Sequence, residues 1–181
     1  GDHCVSKELT KVLQQVDNML IGIISDSHDH REALQKAVAV FNEHQVSYIL
    51  HGGDIVSPFS AKIFQEVKSA KLIAVFGNND GEKLFLKGAV EKGGGEIHEY
   101  CYKGTLANRR IFMTHTPHYI EEAILSQTYD LVIYGHTHKQ DIRREGKTLI
   151  INPGESTDWL TGQGHVVILN LDTMEYQIIP L

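Results

Sequence analysis

"MLIGIISDSHDH", residues 19–30, changes character at its midpoint. Leu20, Ile21, Ile23 and Ile24 form a short, β-branched run that reads as a strand buried on both faces. Six polar residues follow, among them two aspartates and two histidines. Taken singly, "SDSHDH" is a polar loop with an aspartate cap for the next helix. The same residue types also make one corner of a metal site, and the rest of the chain decides between these readings.

Downstream, strand and helix patterns alternate. Ala33, Leu34, Ala37, Val38 and Phe41 repeat at the helical period over 31–44. Strand "SYILH" (47–51) follows, then a helix opened by Pro58, with Phe59, Ile63, Phe64 and Val67 expected on its buried face. Strand "KLIAVFG" (71–77) leads to a helix over 82–92 that stops at "GGG". Such repetition gives parallel strands joined by right-handed crossovers. After residue 95 the pattern shifts to "GEIHEYCYKG" and "NRRIFMTH", paired around a turn at Gly104. A helix over 118–127, strand "DLVIYG" (130–135), a hairpin turning at Glu145–Gly146 and a last hairpin over 164–181 complete the expectation. This is one α/β domain of mixed sheets spanning 19–181.

Composition limits the function classes. At 181 residues, with 41% hydrophobic and 22% charged, the chain can bury one substantial core. A net charge of −6 argues against duplex nucleic acid as a partner, which needs a basic face. Two cysteines, Cys4 and Cys101, make no disulfide framework and suit a reducing cytoplasm. No apolar run approaches the roughly 20 residues of a membrane span, and no secretory segment is visible. Residues 1–18 carry Val5, Leu9, Val12, Leu13 and Val16 at helical spacing. They are expected to form an amphipathic helix that docks on its own domain, on a second copy in a homodimer, or on a partner.

Six expected strands each end in a polar cluster: "SDSH" (25–28), "HGGD" (51–54), "GNND" (77–80), "THTP" (114–117), "GHTH" (135–138) and "NPGES" (152–156). Ligand sites in α/β sheets lie beyond the carboxyl ends of the strands, so these clusters should converge. Asp26, His28, Asp54, Asn78, His115, His136 and His138 then supply carboxylate, imidazole and amide oxygen, with no thiolate. Mixed N/O ligation of this kind suits Mn, Fe, Zn, Co or Ni. Seven donors exceed one tetrahedral zinc and match two cations sharing a carboxylate, a pairing used to hydrolyse phosphate esters. His136 and His138 stand two apart, which on extended chain puts both rings on one face, and Gly135 is read as the bend that brings them in.

The ordered series Asp-x-His, Gly-Asp, Gly-Asn-x-Asp, Thr-His and Gly-His-x-His resembles the calcineurin-like metallophosphoesterase superfamily. Within it, the chain is similar to the small bacterial and archaeal phosphodiesterases, which share their fold with vacuolar sorting protein 29 of the retromer. The resemblance implies an αββα sandwich of two mixed β-sheets flanked by helices. It implies that Asp26, His28, Asp54 and His138 hold one divalent metal and that Asp54, Asn78, His115 and His136 hold the other, with manganese first and Ni, Co, Fe, Zn or Mg as alternatives. It implies attack by a metal-bridging hydroxide on a small phosphate ester. Many larger members carry histidine where this chain has Asn79, an amide that cannot serve as an acid near neutral pH. His30 and His118 are therefore candidate proton donors, and His51 a candidate neighbour of the ligands. The rival expectation is a non-catalytic metal-binding scaffold, like the retromer relative.

Overall fold

The computed structural model describes residues 18–158, 160 and 162–181. The helix expected over 1–18 lies outside them apart from Asn18. Strand β1 (Leu20–Ile24) is followed by α1 (Arg31–Glu43), β2 (Tyr48–His51), α2 (Pro58–Ile63), β3 (Lys71–Val75), α3 (Lys83–Lys92) and β4 (Glu96–His98). Then come β5 (Cys101–Leu106), β6 (Arg109–Thr114), α4 (Ile120–Leu125), β7 (Leu131–Ile133), β8 (Asp141–Glu145), β9 (Thr148–Asn152), β10 (His165–Asn170) and β11 (Tyr176–Pro180). One sheet has the order β11-β10-β1-β2-β3-β4 and the other β5-β6-β7-β9-β8. Strands β1 to β4 run parallel, as do β6, β7 and β9, and antiparallel strands edge both groups.

Alternation along each strand explains the layers. Ile21, Ile23, Leu50, Ile73 and Val75 of the first sheet meet Ile111, Met113, Leu131, Ile133, Leu149 and Ile151 of the second in one core. The intervening residues face outward onto helices. Ile24 and Ile49 pack under Leu34, Ala37, Val38 and Phe41 of α1. Ala74 packs under Leu86 and Val90 of α3. Phe112, Val132 and Ile150 pack under Ile120, Ala123 and Ile124 of α4. Gly22 occupies an outward position because the Phe41 ring lies against it, leaving no room for a Cβ. Complete burial of Phe41 contributes roughly 1.5–3 kcal/mol. The result is the expected αββα sandwich.

Four local expectations change. The β5–β6 turn is at Ala107–Asn108, both with positive φ, and Gly104 sits inside β5 opposite Ile111. Two left-handed residues in succession make the hairpin turn that matches strand twist, here without the usual glycine. The segment 95–104 also splits, with β4 joining the first sheet and β5 the second. Phe59 is 61% exposed rather than buried. After α2 the chain tightens into a 3-10 turn over Phe64–Glu66, so the buried stripe runs Ala61, Phe64, Val67 at a spacing of three. The β8–β9 turn sits one residue later than expected, at Gly146–Lys147, since Glu145 pairs with Thr148.

Candidate metal centre

The six polar clusters follow the parallel strands β1, β2, β3, β6, β7 and β9, and they meet where the carboxyl ends of the two sheets face each other. Backbone bonds tie the loops together. Asp26 N donates to Gly53 O at 3.0 Å and His28 N to Asp54 O at 2.8 Å. Gly135 N donates to His115 O at 2.9 Å. Asp80 accepts at Oδ2 from Gly77 N (2.7 Å) and Asp54 N (3.2 Å), and at Oδ1 from Val56 N (2.5 Å). Burial raises the Asp80 carboxyl above the usual range, opposed by these backbone bonds.

Asp26, His28, Asp54 and His138 each present one donor atom, all within 4.8 Å of one another. Asp26 Oδ1 lies 3.5 Å from His138 Nε2 and 4.0 Å from His115 Nε2. Asp54 Oδ2 lies 3.5 Å from His115 Nε2 and 3.8 Å from His28 Nε2. Asn78 Oδ1 is 2.9 Å from His115 Nε2 and 3.1 Å from His136 Nδ1. All seven expected donors therefore converge, with Asp54 facing imidazoles of both groups.

Three observations fit this cluster to cations. Asp26 Oδ1 is buried and accepts no hydrogen bond among the described residues, while Oδ2 takes Ser25 Oγ (2.7 Å) and His136 N (3.1 Å). Burial pushes the Asp26 carboxyl upward, with His115 opposing. An oxygen so placed lacks the partner that a buried polar atom normally has. Second, His115 Nδ1 lies 2.7 Å from Gly52 O, a pure acceptor. Its Nδ1 therefore carries the hydrogen, and in the neutral ring Nε2 turns a lone pair on Asn78 Oδ1 and Asp54 Oδ2. Third, Asp26, His28, Asp54, His136 and His138 all have positive φ, costing about 1–3 kcal/mol each. Strain concentrated on the donors of one cluster is the mark of a functional site.

The backbone at "GHTH" differs from expectation. β7 ends at Ile133, and His136 and His138 reach the cluster from a left-handed loop rather than from extended chain. Gly135 provides room, not a bend: a Cβ there would sit 2.8 Å from Asp26 Oδ2 and collide with Ser25 Oγ. Gly77 likewise lies directly against Asp54, too close for any side chain.

The remaining histidines separate. His30 caps α1, its Nδ1 accepting from Ala33 N at 3.1 Å. His118 lines a groove on the outer side of β6 with Phe112, Thr116 and Tyr119. His51 is fully buried, its Nδ1 accepting from Gly53 N (3.0 Å) and its Nε2 2.9 Å from Ser27 Oγ. Burial pushes its pKa down to about 3, with His115 adding to the shift. The unfolded ring titrates near 6.5, so this neutral histidine holds its full contribution to stability above that value. The contribution is lost as pH falls toward 3, a change on the order of a few kcal/mol. His51→Asn keeps an acceptor for Gly53 N. Chemical denaturation at pH 7 and pH 4.5 should therefore show a smaller loss in the variant than in the parent.

The sequence does not show which atoms several supporting residues hold. Asn79 donates to both oxygens of Asp54, from its backbone N to Oδ1 and from Nδ2 to Oδ2, each at 2.9 Å. Asn152 Nδ2 donates to Gly135 O (3.3 Å) and Thr137 Oγ1 (3.1 Å), bracing the "GHTH" loop. Glu155 is buried with Oε2 3.0 Å from His138 Nδ1. Asparagine and glutamate in "NPGE" were the available signal, but their targets are set only by the pairing of β7 with β9.

Comparison with known proteins agrees with this architecture. Residues 19–174 match the calcineurin-like phosphoesterase superfamily domain. A phosphodiesterase of Methanocaldococcus jannaschii is 40% identical over 166 residues, covering 90% of this chain and 99% of that protein. A probable metallophosphoesterase of Methanothermobacter thermautotrophicus is 29% identical over 157 residues, covering 85% of this chain and 87% of that one. The solved structure of an archaeal phosphodiesterase superposes with a TM-score of 0.85 at 39% identity, over 90% of this chain and all of the other. Vps29 of Entamoeba histolytica, solved with zinc, superposes at 0.64 with 18% identity over 90% and 98% of the two chains, which is a likeness of fold alone. With its fold, its strand-end clusters and this match over most of its length, the chain belongs to the calcineurin-like phosphoesterase superfamily.

Proposed function

We propose that the chain is a phosphodiesterase working at a two-cation centre, with Asp26, His28, Asp54 and His138 holding one cation and Asp54, Asn78, His115 and His136 the other. The observation that carries this reading is Asp54, a single buried carboxylate oxygen facing His28 on one side and His115 on the other. When bound, the cations supply charge against the developing negative phosphate and a nucleophile at neutral pH. Manganese is the first choice among divalent ions because the family resemblance implies it; nitrogen and oxygen donors without thiolate suit it as they suit Fe, Zn, Co and Ni. The domain carrying this centre is residues 19–181, and the cysteine usage suits the cytoplasm.

The chain's own residues define the chemistry further. Asn79 clamps both oxygens of Asp54, so the carboxylate cannot rotate between its neighbours. That amide holds no proton to give a leaving group. His30 accepts through Nδ1 at the cap of α1, which leaves its ring hydrogen on Nε2, and His118 lies in the groove outside β6. Unless one of these two gives the proton, departure of the product alkoxide favours substrates with good leaving groups, such as aryl phosphodiesters. The 40% identical archaeal relative named a phosphodiesterase supports a diester over a monoester.

The test is a series of phosphodiesters whose leaving groups span phenol to alkyl alcohol, assayed beside p-nitrophenyl phosphate with manganese. Rates should fall steeply as leaving-group pKa rises, and the diester should outpace its monoester. A rate flat across the series would contradict the absence of an acid, and faster monoester turnover would contradict the diester preference.

A further inference from the structure

Two hydrogen bonds join the loops after β7 and β9 at one pair of residues. Glu155 N donates to His138 O at 3.2 Å, and the Glu155 carboxylate meets the His138 ring, Oε2 to Nδ1, at 3.0 Å. The carboxylate is itself fixed. Oε1 accepts from Leu160 N at 3.0 Å, and Oε2 also accepts from Thr157 Oγ1 at 3.4 Å. Glu155 is 1% exposed.

The chemistry of this contact has one direction. An ionised carboxylate only accepts, so the hydrogen of the neutral His138 ring sits on Nδ1. Nε2 is then left with its lone pair, 3.5 Å from Asp26 Oδ1, the buried oxygen that takes no hydrogen bond among the described residues. His138 also has a left-handed backbone, so its ring direction is not set by regular strand geometry. The bond to Glu155 sets it instead.

We propose that Glu155 is a positioning residue: it fixes the tautomer and ring orientation of His138, and thereby the affinity of the cation site formed with Asp26, His28 and Asp54. This rests on the two-cation reading above. Glu155→Gln preserves size but cannot preserve the contacts. If its amide oxygen serves Leu160 N, its NH2 faces His138 Nδ1 and forces the hydrogen onto Nε2. If the oxygen serves His138, two N–H donors oppose each other at Leu160. Outer partners of ligating histidines typically contribute about 10–100-fold in metal affinity.

The experiment is a double-mutant cycle on manganese affinity, measured by competition with a chromophoric chelator, for the parent, E155Q, H138A and the double variant. E155Q should weaken binding of one equivalent about 10–100-fold. In the H138A background it should change nothing further, because the histidine through which it acts is gone. Unchanged affinity in E155Q, or an equal loss in both backgrounds, would overturn the proposal. A parent that binds no divalent cation would instead overturn the metal-centre reading beneath it. Imidazole 15N shifts of the chelated parent give an independent check that needs no variant. His138 should carry its hydrogen on Nδ1, and a hydrogen on Nε2 would refute the assignment.

Discussion

Asp54→Asn should abolish metal-dependent diester cleavage while leaving the chain folded. The substitution removes the one negative oxygen that faces both His28 and His115, so both cation sites lose a charged ligand at once. It also turns an N–H toward Asn79, which now donates to both carboxylate oxygens through its backbone N and its Nδ2. Loss of an outer partner alone costs about 10–100-fold, and loss of a shared ligand should exceed the upper end of that range. The assay is turnover of bis(p-nitrophenyl) phosphate with manganese, with circular dichroism confirming the fold. Activity within tenfold of the parent would remove Asp54 from the centre.

Chelation should produce the second large effect, on stability as well as rate. Asp26 and Asp54 are both buried, and Asp26 Oδ1 takes no hydrogen bond among the described residues. A cation that binds only the folded state at 100 times its dissociation constant stabilises by about 2.7 kcal/mol, or about 5–10 °C for a chain of this size. Thermal unfolding of the stripped protein should thus rise by that amount per site on adding manganese. His138→Ala and His115→Ala should each forfeit one of the two increments. A midpoint that ignores manganese in the parent would argue that the cluster holds no cation.

The strands and their polar ends were legible in the sequence because their physics is local. Ile21 and Ile23 alternate with Gly22 and Ile24, α1 keeps a 3.6-residue stripe from Ala33 to Phe41, and each donor follows an apolar run. Backbone conformation at the site was not legible. Asp26, His28, Asp54, His136 and His138 adopt left-handed geometry without glycine; aspartate and histidine reach it more often than most side chains, but nothing local in the sequence marks which of them do. The turn at Ala107–Asn108 escaped for the same reason, lacking the glycine that usually marks it. Phe59 was misplaced because a 3-10 turn re-phases the stripe that a regular helix would continue. The bond between Glu155 and His138 depends on β7 lying beside β9, a fact of topology that neither segment carries alone.

The most direct measurement is a manganese titration of chelator-stripped protein, following bound metal and bis(p-nitrophenyl) phosphate cleavage in the same samples. Two equivalents should bind per chain, and turnover should appear as the second is filled. Two equivalents bound with no turnover, repeated with Ni, Co, Zn and Mg, would overturn the phosphodiesterase reading.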